Sequence, residues 1–476
     1  MTVMNPSASW RWCALLLLTG ALALWVGWVG FIASDDSLYY AGAQAWLTHP
    51  PAAGTDHWST RFPLILAFAG VISVIGRGYA AFGVTAVLFH IVLVTVTALY
   101  GRTVGGARAG WIAALLIATL PVVIVYATTV SVDLIEASAL VAGALLLGGA
   151  GNDRARLWQG GGAGVCFGIA ILCRETSVLP LLAFVPMLLI GRPIPRRVLI
   201  ATGLGVVLVL GAEALFQYAL TGDPLRRYAI AFHHDEHIDR AANLEGNFLL
   251  WPPIDPLLVL LVNDDFGLLF WLAGIALMLG ATRGLGEPAR QRLLVLAAMA
   301  GASFLLVAVL YTKLVLNPRY FTLAAVAAAV TVAIWLDRLS ASWRTGLLAA
   351  IIGGNLLLMS VGNAHPHWEM EVLVDAARRH PREIVAGAPH EVRRAHYPME
   401  FAHLANLRYA PAAPGGLVVV PASARPSGVI VARYPSPPTR LGMVLRALGL
   451  EALVPHAIAR RMFAPGPEML LVRTQG

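Results

Sequence analysis

The sequence predicts a polytopic α-helical membrane protein that ends in a small α/β domain. The chain has 476 residues, of which 58% are hydrophobic and 13% are charged. Its mean hydropathy is +0.72, which lies well outside the range of soluble domains. About eleven apolar stretches are long enough to cross a bilayer, and the hydropathy falls only after residue 363. These observations together predict the fold class.

Membrane spans are expected wherever about 20 apolar residues follow one another, because a helix of that length crosses roughly 30 Å of hydrocarbon. The first stretch is longer than the apolar part of a signal peptide and is followed by further spans, so we interpret it as an anchor. The run 158–191 is divided in two, because Arg174 and Glu175 would otherwise lie in mid-bilayer. The predicted spans are 12–33, 79–100, 109–127, 132–150, 158–173, 176–191, 198–216, 265–282, 292–311, 319–336 and 345–362.

Arginines are unevenly distributed among the short loops between these spans. Cytoplasmic loops carry an excess of Arg and Lys, and every second loop here is rich in arginine. This pattern predicts a multi-pass protein of the cell membrane with a cytoplasmic N-terminus. The loops 34–78 and 217–264 and the tail from about 363 are then extracytoplasmic. The arginines on the predicted cytoplasmic face are Arg11, Arg102, Arg108, Arg154, Arg156, Arg192, Arg196, Arg197, Arg283, Arg290, Arg292, Arg338 and Arg344.

Charge and cysteine usage exclude several classes of function. The formal net charge is +8, but the basic residues follow the membrane topology and form no patch of the kind that binds nucleic acid. Cys13, Cys166 and Cys173 all lie in apolar stretches, which leaves neither a disulfide framework nor a cysteine zinc site. We therefore expect membrane lipids, and not nucleic acid, as partners of this chain.

The tail has the pattern of a small α/β domain. Helix-like stretches such as "EMEVLVDAARRH" and "RLGMVLRALGLEAL" alternate with the β-like runs "EIVAGA", "GLVVVPA", "GVIVARY" and "EMLLVRT". The tail carries 13 arginines and 8 acidic residues. That balance suits anionic lipid headgroups or phosphates, and equally an ordinary arginine-rich surface. The predicted domains are a transmembrane domain, 1–362, and an extracytoplasmic α/β domain, 363–476.

Carboxylates and arginines collect at the predicted extracytoplasmic boundary. The segment "RFPLILAFAGVISVIG" is expected to lie in the membrane interface, because Pro63 and the flanking Arg61 and Arg77 leave it too short to span. An arginine can bind phosphate oxygens in a bidentate manner, and a carboxylate can take a proton from an attacking hydroxyl. The candidate site residues on this face are Asp35, Asp36, Tyr39, Tyr40, His57, Trp58, Arg61, Asp133, Arg174, Glu175, Arg319 and Tyr320.

The order of these residues resembles the GT-C glycosyltransferases, in particular the group that contains protein O-mannosyltransferases and the lipid-A aminoarabinose transferase. The acidic motif of that group is often Asp-Glu and its later motif Lys-Pro-Pro-Leu. Here they read Asp35-Asp36 and Arg61-Phe62-Pro63-Leu64, and Arg for Lys replaces a point charge with a planar fork. "ATTVSVD", "GDPLRRY" and "NPRYF" resemble later motifs. The resemblance covers about residues 12–340 and excludes the tail.

The resemblance implies a sugar donor carried on polyprenyl phosphate, and an acceptor hydroxyl on a cell-envelope lipid, glycan or protein. It implies an inverting displacement in which Asp35 or Asp36 activates the acceptor and Asp133 orients the acceptor or a catalytic carboxylate. The residues implied to bind the donor phosphate are Arg61, Arg174, Arg319 and Tyr320. The residues implied to bind substrate more generally are Tyr39, Tyr40, His57, Trp58 and Glu175.

Each of these residues also has a simpler interpretation that the sequence leaves open. Asp36 can cap the helix that follows it. Arg61 and Arg319 can extend toward lipid headgroups. Asp133 can be an ordinary loop residue, and the Arg-Glu pair after the fifth span can be a local ion pair.

Two further possibilities concern metal binding and transport. The segment "HHDEH" offers His233, His234 and His237 to a divalent cation, although segments of this composition are commonly only solvated. A transporter or flippase of lipid-linked sugars is the alternative function. That class usually carries ionisable groups near the bilayer midplane and shows internal symmetry, whereas the charges here collect at one boundary. A scaffold protein would need no matched acids and arginines there.

Overall fold

A computed structural model describes residues 6–149, 153–233, 254–310, 316–362 and 367–475. Over these ranges the chain is a bundle of helices followed by a five-stranded sheet with its own short helices. Two 3₁₀ turns, Glu175–Ser177 and Pro318–Phe321, interrupt the bundle at positions that matter for the site.

The bundle contains seventeen helices in the described ranges. They are α1 (Pro6–Val26), α2 (Asp35–Thr48), α3 (Phe62–Ile75), α4 (Tyr79–Gly105), α5 (Ala107–Ala118), α6 (Pro121–Thr128), α7 (Asp133–Leu147), α8 (Asp153–Cys173), α9 (Val178–Leu181), α10 (Phe184–Ile190), α11 (Arg196–Thr221), α12 (Arg226–His233), α13 (Asp255–Val262), α14 (Leu269–Met278), α15 (Glu287–Leu310), α16 (Thr322–Arg338) and α17 (Ala341–Gly362).

The predicted count of eleven membrane spans is not confirmed. Among the described residues, six helices are long and apolar enough to cross a membrane, or seven if the bent pair α5 and α6 is one span. A chain with this many such helices is a membrane protein. The six are Ser9–Val26, Tyr79–Gly105, Arg196–Thr221, Glu287–Leu310, Pro318–Arg338 and Ala341–Gly362.

The remaining predicted spans are helical but short, broken or less apolar. The span 109–127 bends by 65° between α5 and α6, where Pro121 lacks the N–H that would continue the helix. The span 176–191 contains two prolines and divides into a 3₁₀ turn and two short helices. Helix α7 has 15 residues and α14 has 10. Hydropathy alone does not register such breaks, and this is one reason why the predicted count differs from the number of long apolar helices.

Helices α8 and α11 pack with their backbones in contact. A Cβ atom on Gly164 would lie 2.0 Å from the carbonyl oxygen of Thr202, and one on Gly205 would lie 2.3 Å from that of Gly161. Only glycine fits at such distances, and contacts between small residues are a common way for membrane helices to pack closely. This packing fixes the end of α8, which Arg174 follows directly.

The tail forms a mixed sheet of order β2-β1-β3-β5-β4, parallel among its first three strands and antiparallel among its last three. Val385 pairs with Leu407 and Leu417, and Val419 pairs with Leu471. The four predicted β-like runs all contain strands, and β2 is an additional one. The tail elements are β1 (Val385–Gly387), β2 (Leu407–Tyr409), β3 (Leu417–Pro421), β4 (Val429–Tyr434), β5 (Met469–Arg473), α18 (Trp368–Arg379), α19 (Pro389–Arg394), α20 (His396–Phe401), α21 (Arg440–Ala447) and α22 (His456–Phe463).

An aromatic cluster joins the tail to the bundle. The ring of Tyr40 on α2 lies 4.9 Å from that of Tyr397 and 5.6 Å from that of Phe401, both on α20. The same ring lies 5.0 Å from Phe82 on α4 and 5.8 Å from Phe68 on α3. The contacts with Tyr397 and Phe401 are edge-to-face, an arrangement that adds to the free energy gained by burial. The tail is therefore seated on α2, the helix that begins with the acidic pair.

We expect Tyr40→Ala to lower the free energy of unfolding by about 3–5 kcal/mol, the usual cost of truncating a large buried aromatic side chain. Tyr40 is fully buried, whereas Leu66 on α3 is 48% exposed, so Leu66→Ala serves as the control. Denaturant unfolding in detergent measures both. Equal effects of the two substitutions would contradict the role of the cluster.

Candidate functional site

Arg174 lies buried between two carboxylates. Its Nη2 is 2.6 Å from Oδ1 of Asp133, and its Nη1 is 3.1 Å from Oε2 of Glu136, one turn further along α7. The other carboxylate oxygen of Glu136 accepts a hydrogen bond of 2.5 Å from the hydroxyl of Ser177. A buried guanidinium is stable when its charge is paired and its hydrogens are bonded. Arg174 is thus held firmly, and it joins the end of α8 to the start of α7.

Arg319 makes a looser ion pair. Its Nη1 lies 3.6 Å from Oδ2 of Asp35, and the two side chains are 29% and 36% exposed. The guanidinium groups of Arg174 and Arg319 both contact the ring of Tyr320, at 5.1 and 5.8 Å from its centroid. A longer, more hydrated pair contributes less than a short buried one. Asp35 and Arg319 can therefore separate at lower cost than Arg174 and its partners.

Two cavities share Arg319. The Asp35 cavity has a volume of about 360 Å³, and the Arg174 cavity is small, about 30 Å³. The Asp35 cavity is lined by Val29, Asp35, Asp36, Tyr126, Asn317, Arg319 and His367, among others. The Arg174 cavity is lined by Asp133, Glu136, Arg174, Ser303, Arg319 and Tyr320, among others. One arginine thus faces a carboxylate on one side and a second arginine on the other.

The two adjacent carboxylates of α2 have different surroundings. Asp36 is fully buried, and its Oδ2 accepts a hydrogen bond of 2.7 Å from the backbone of Ile32. Its Oδ1 accepts bonds of 2.8 and 3.0 Å from the backbones of Ser34 and Ser37. Burial raises the pKa of Asp36 to about 6, and these three hydrogen bonds oppose the rise. Asp36 therefore stabilises the turn into α2, while the carboxylate of Asp35 pairs with Arg319.

Arg61 is buried between Tyr39 and His57. Its Nη1 donates to the Tyr39 hydroxyl, and its Nη2 contacts Nε2 of His57. The guanidinium carbon lies 5.7 Å from the ring centroid of Tyr39. Gly42 on α2 allows this approach, because a Cβ there would lie 3.1 Å from Cα of Ser59. The loop that carries His57 and Arg61 thus packs directly on α2.

The hydroxyl of Tyr39 is influenced by the charges of both Arg61 and Arg174. Burial raises its pKa to about 12. Arg61 and Arg174 act to lower this pKa, and Asp35 and Asp133 act to raise it further. Because all four charges influence one hydroxyl, they belong to a single electrostatic cluster.

Two guanidinium donors among the predicted site residues have no hydrogen-bond partner among the described residues. They are the Nε atoms of Arg61 and Arg319, and both are buried. Buried donors of this kind are rare in folded proteins. An anion with several acceptor oxygens, such as a phosphate, is a suitable partner for such donors.

The other predicted residues lie nearby in different roles. Tyr40 packs in the aromatic cluster beneath the tail. The ring of Trp58 lies 5.7 Å from that of His57, at the edge of the Arg61 group. Glu175 pairs with Arg227 at 2.8 Å.

The metal candidates fall mostly outside the described ranges. His234 and His237 are not among the residues that the structure describes, and His233 is exposed with its Nδ1 2.6 Å from the carbonyl oxygen of Ala229. Within the described ranges, no group of three or more His, Cys, Asp or Glu side chains is arranged to hold a metal ion.

The sequence patterns do not single out Arg227, although it is the largest fully buried side chain among the described residues. Its Nη1 donates to the carbonyl oxygen of Thr60 at 3.0 Å, and its Nη2 donates to that of Ile171 at 3.1 Å. Its Nε and Nη2 also donate to Oε1 of Glu175, at 3.1 and 2.8 Å. Through Arg227, helix α12 thereby connects Thr60, the residue before Arg61, to the end of α8.

The adjacent arginine explains why no sequence signal marks Arg227. Arg226 has the same chemistry and the adjacent place in "GDPLRRY", yet among the described residues its Nη2 donates only to the carbonyl oxygen of Gly54, at 2.8 Å. Which of two neighbouring arginines points inward depends on the orientation of α12, and a single sequence does not specify that orientation.

We expect Arg227→Met to lower the free energy of unfolding by about 3–5 kcal/mol, because it leaves Glu175 without its partner and two buried carbonyl oxygens without a donor. Arg226→Met, which removes one hydrogen bond, should cost about 1 kcal/mol. Thermal unfolding of both variants in the same detergent measures the difference. Similar losses of unfolding free energy for the two variants would contradict the assignment of Arg227 as the buried arginine that connects these elements.

We expect the stability of the wild type to depend on pH through Asp36. Its pKa is raised on folding, so the folded state keeps its proton to higher pH and loses stability as pH rises from about 4 to about 6. Asp36→Asn should lack this loss, which amounts to at most about 3 kcal/mol. Unfolding of both proteins across this pH window measures the difference. If the unfolding free energies of the two proteins change in parallel across this pH window, Asp36 does not titrate within it.

Comparison with known proteins identifies the fold. Residues 59–216 match the model of the family described as Dolichyl-phosphate-mannose-protein mannosyltransferase. No curated protein matches the chain in sequence. ArnT from Cupriavidus metallidurans in the apo state superposes with a TM-score of 0.62 at 13% identity, over 90% of this chain and 97% of that one.

Two further solved structures are similar. ArnT from the same organism bound to undecaprenyl phosphate has a TM-score of 0.62 at 12% identity, over 98% of each chain. The archaeal oligosaccharyltransferase AglB from Archaeoglobus fulgidus, in complex with an inhibitory peptide and a dolichol-phosphate, has a TM-score of 0.50 at 13% identity. That match covers 88% of this chain and 70% of the other. The chain therefore has the GT-C fold of ArnT, and its residues 59–216 resemble the protein mannosyltransferases.

Proposed function

We propose that this protein is a membrane glycosyltransferase that moves a sugar from a polyprenyl-phosphate carrier to an acceptor hydroxyl. The proposal depends on the position of Arg319, which lines one cavity together with Asp35 and a second cavity together with Arg174. The family match, and the undecaprenyl phosphate and dolichol-phosphate bound by proteins of the same fold, support it.

The donor phosphate binds at Arg319 with help from Arg61. Both guanidinium groups have a buried Nε without a partner among the described residues. Arg319 can exchange its loose carboxylate for a phosphate, because its 3.6 Å contact with Asp35 is the weakest pair of the cluster. Arg174, held at 2.6 Å by Asp133, orients Tyr320 and Arg319 and does not need to move.

Asp35 is the general base. It lines the larger cavity and becomes free to take a proton once Arg319 binds phosphate. The acceptor oxygen forms a bond to the anomeric carbon as the bond from that carbon to the phosphate oxygen breaks. The acceptor proton passes to Asp35, and the polyprenyl phosphate leaves as an anion stabilised by the arginines. Attack from the face opposite the leaving group inverts the anomeric configuration.

Orientation in the membrane follows from the arginine-rich loops described above. The protein lies in the cell membrane with the Asp35 cavity on the extracytoplasmic side, where a cell-envelope acceptor is available. A flippase for lipid-linked sugars is less consistent with the structure, because the two most buried ion pairs of the described residues, Arg174–Asp133 and Arg227–Glu175, lie at helix ends.

The test is sugar transfer by the purified protein, with a panel of polyprenyl-phosphate monosaccharides as donors. Asp35→Asn should lower kcat by about 100-fold or more, the usual contribution of a general base. Arg319→Gln should weaken donor binding and slow turnover together, because Arg319 contacts the phosphate in both the ground and transition states. Asp223→Asn is the matched control, because Asp223 is exposed and bonds the backbone of Leu225.

Full turnover by folded Asp35→Asn would remove the assignment of the base. Movement of labelled donor across vesicles without transfer would establish the flippase instead. A chelator added to the same assay tests the divalent cation that His233, His234 and His237 suggest, and unchanged turnover would exclude a required metal.

A further inference from the structure

A separate cavity of about 430 Å³ lies where the end of α1 and the start of α4 meet the tail. Its size falls within the range of roughly 300–1,000 Å³ that is usual for small-molecule sites. Trp28, Phe31, Tyr79 and Phe82 form much of its wall. Trp28 is 37% exposed and Tyr79 is 51% exposed, so packing leaves part of each ring accessible. We call this space the aromatic cavity.

The tail supplies the polar part of the lining. Glu371 belongs to α18, and Thr439 and Arg440 stand at the start of α21. Arg440 is fixed in place, because its Nη1 donates to the carbonyl oxygen of Trp25 at 2.7 Å. Burial lowers the pKa of His367 to about 4, so this fourth polar residue is neutral at pH 7. One acid and one arginine leave the lining without net charge.

The aromatic cavity adjoins the Asp35 cavity. Val29 and His367 line both spaces. The Nδ1 atom of His367 is buried and has no hydrogen-bond partner among the described residues. The two cavities therefore meet at Val29 and His367, and the Nδ1 atom of His367 can form a hydrogen bond with a ligand at this boundary.

From this arrangement we infer that the aromatic cavity binds a neutral sugar ring of a glycan acceptor and directs its hydroxyl past His367 toward Asp35. The inference rests on the proposed function and names the acceptor class. A sugar ring has an apolar C–H face that can lie on Trp28 or Tyr79. Its edge carries hydroxyls that can donate to Glu371 and accept from Arg440. The aromatic cavity offers both kinds of surface together.

Other ligand classes fit this lining less well. A lipid chain would place hydrocarbon against the charged groups of Glu371 and Arg440, which favour water or a polar ligand. A phosphorylated group would meet Glu371 as well as Arg440, with no excess of positive charge to hold it. An extended peptide usually adds to the edge of a sheet, and none of the residues that line this cavity belongs to a strand.

Binding can be measured without donor, so that the inference is tested apart from catalysis. The full-length protein is placed in nanodiscs, because detergents with sugar headgroups would compete for the cavity. It is titrated with neutral disaccharides, with their monophosphates, and with a short peptide containing serine and threonine. Ligand-observed NMR reports the affinities for the wild type and for Trp28→Ala, Tyr79→Ala and the control Trp343→Ala, whose ring is 70% exposed on α17.

We expect a neutral disaccharide to bind, and Trp28→Ala and Tyr79→Ala each to weaken it about five- to tenfold, the effect of losing one aromatic contact. Trp343→Ala should leave the affinity unchanged. Stronger binding of the monophosphate or of the peptide, an affinity insensitive to both aromatic substitutions, or the absence of glycan binding would each overturn the inference. Glycan binding by a protein that transfers no sugar would confirm the glycan site and refute the proposed function, and with it the role of that site in binding an acceptor.

Discussion

The ion pairs of buried Arg174 with Asp133 and Glu136 are the interaction on which the arrangement of the site depends. In a chain with so few charges, a guanidinium removed from water costs several kcal/mol unless its charge is fully paired. Pairing requires the start of α7 and the end of α8 to lie next to each other. The Arg227–Glu175 pair adds α12 and the loop before Arg61 to the same assembly. Few arrangements of these helices satisfy both pairs together.

Part of this arrangement is predictable from sequence, because a bilayer confines charged residues to helix ends. The positions of Asp35, Asp133, Arg174 and Arg319 at predicted helix ends, all on one face, suffice to predict that they lie near one another. Their division of roles is not predictable in the same way. Which carboxylate of the acidic pair contacts Arg319 depends on three backbone hydrogen bonds to Asp36, and these exist only once the turn has formed.

The number of membrane spans is a feature of the fold that the sequence predicts less well. Apolar composition locates the helical segments, but it does not register where a proline bends them or where a helix ends early. These interruptions have a structural use. The bend before Pro121 and the 3₁₀ turn that begins at Glu175 bring residues of α6, α7 and α9 to the walls of the two cavities that share Arg319.

The contact between Tyr40 and the tail helix α20 has a consequence for how proteins of this fold can diversify. Tyr40 stands five residues after Asp35 on the same helix, so the tail and the carboxylate proposed as the base share one rigid support. A tail transplanted from a protein of the same fold would need a matching set of rings on α2, α3 and α4. The tail can then change by single substitutions more readily than by exchange of the whole domain.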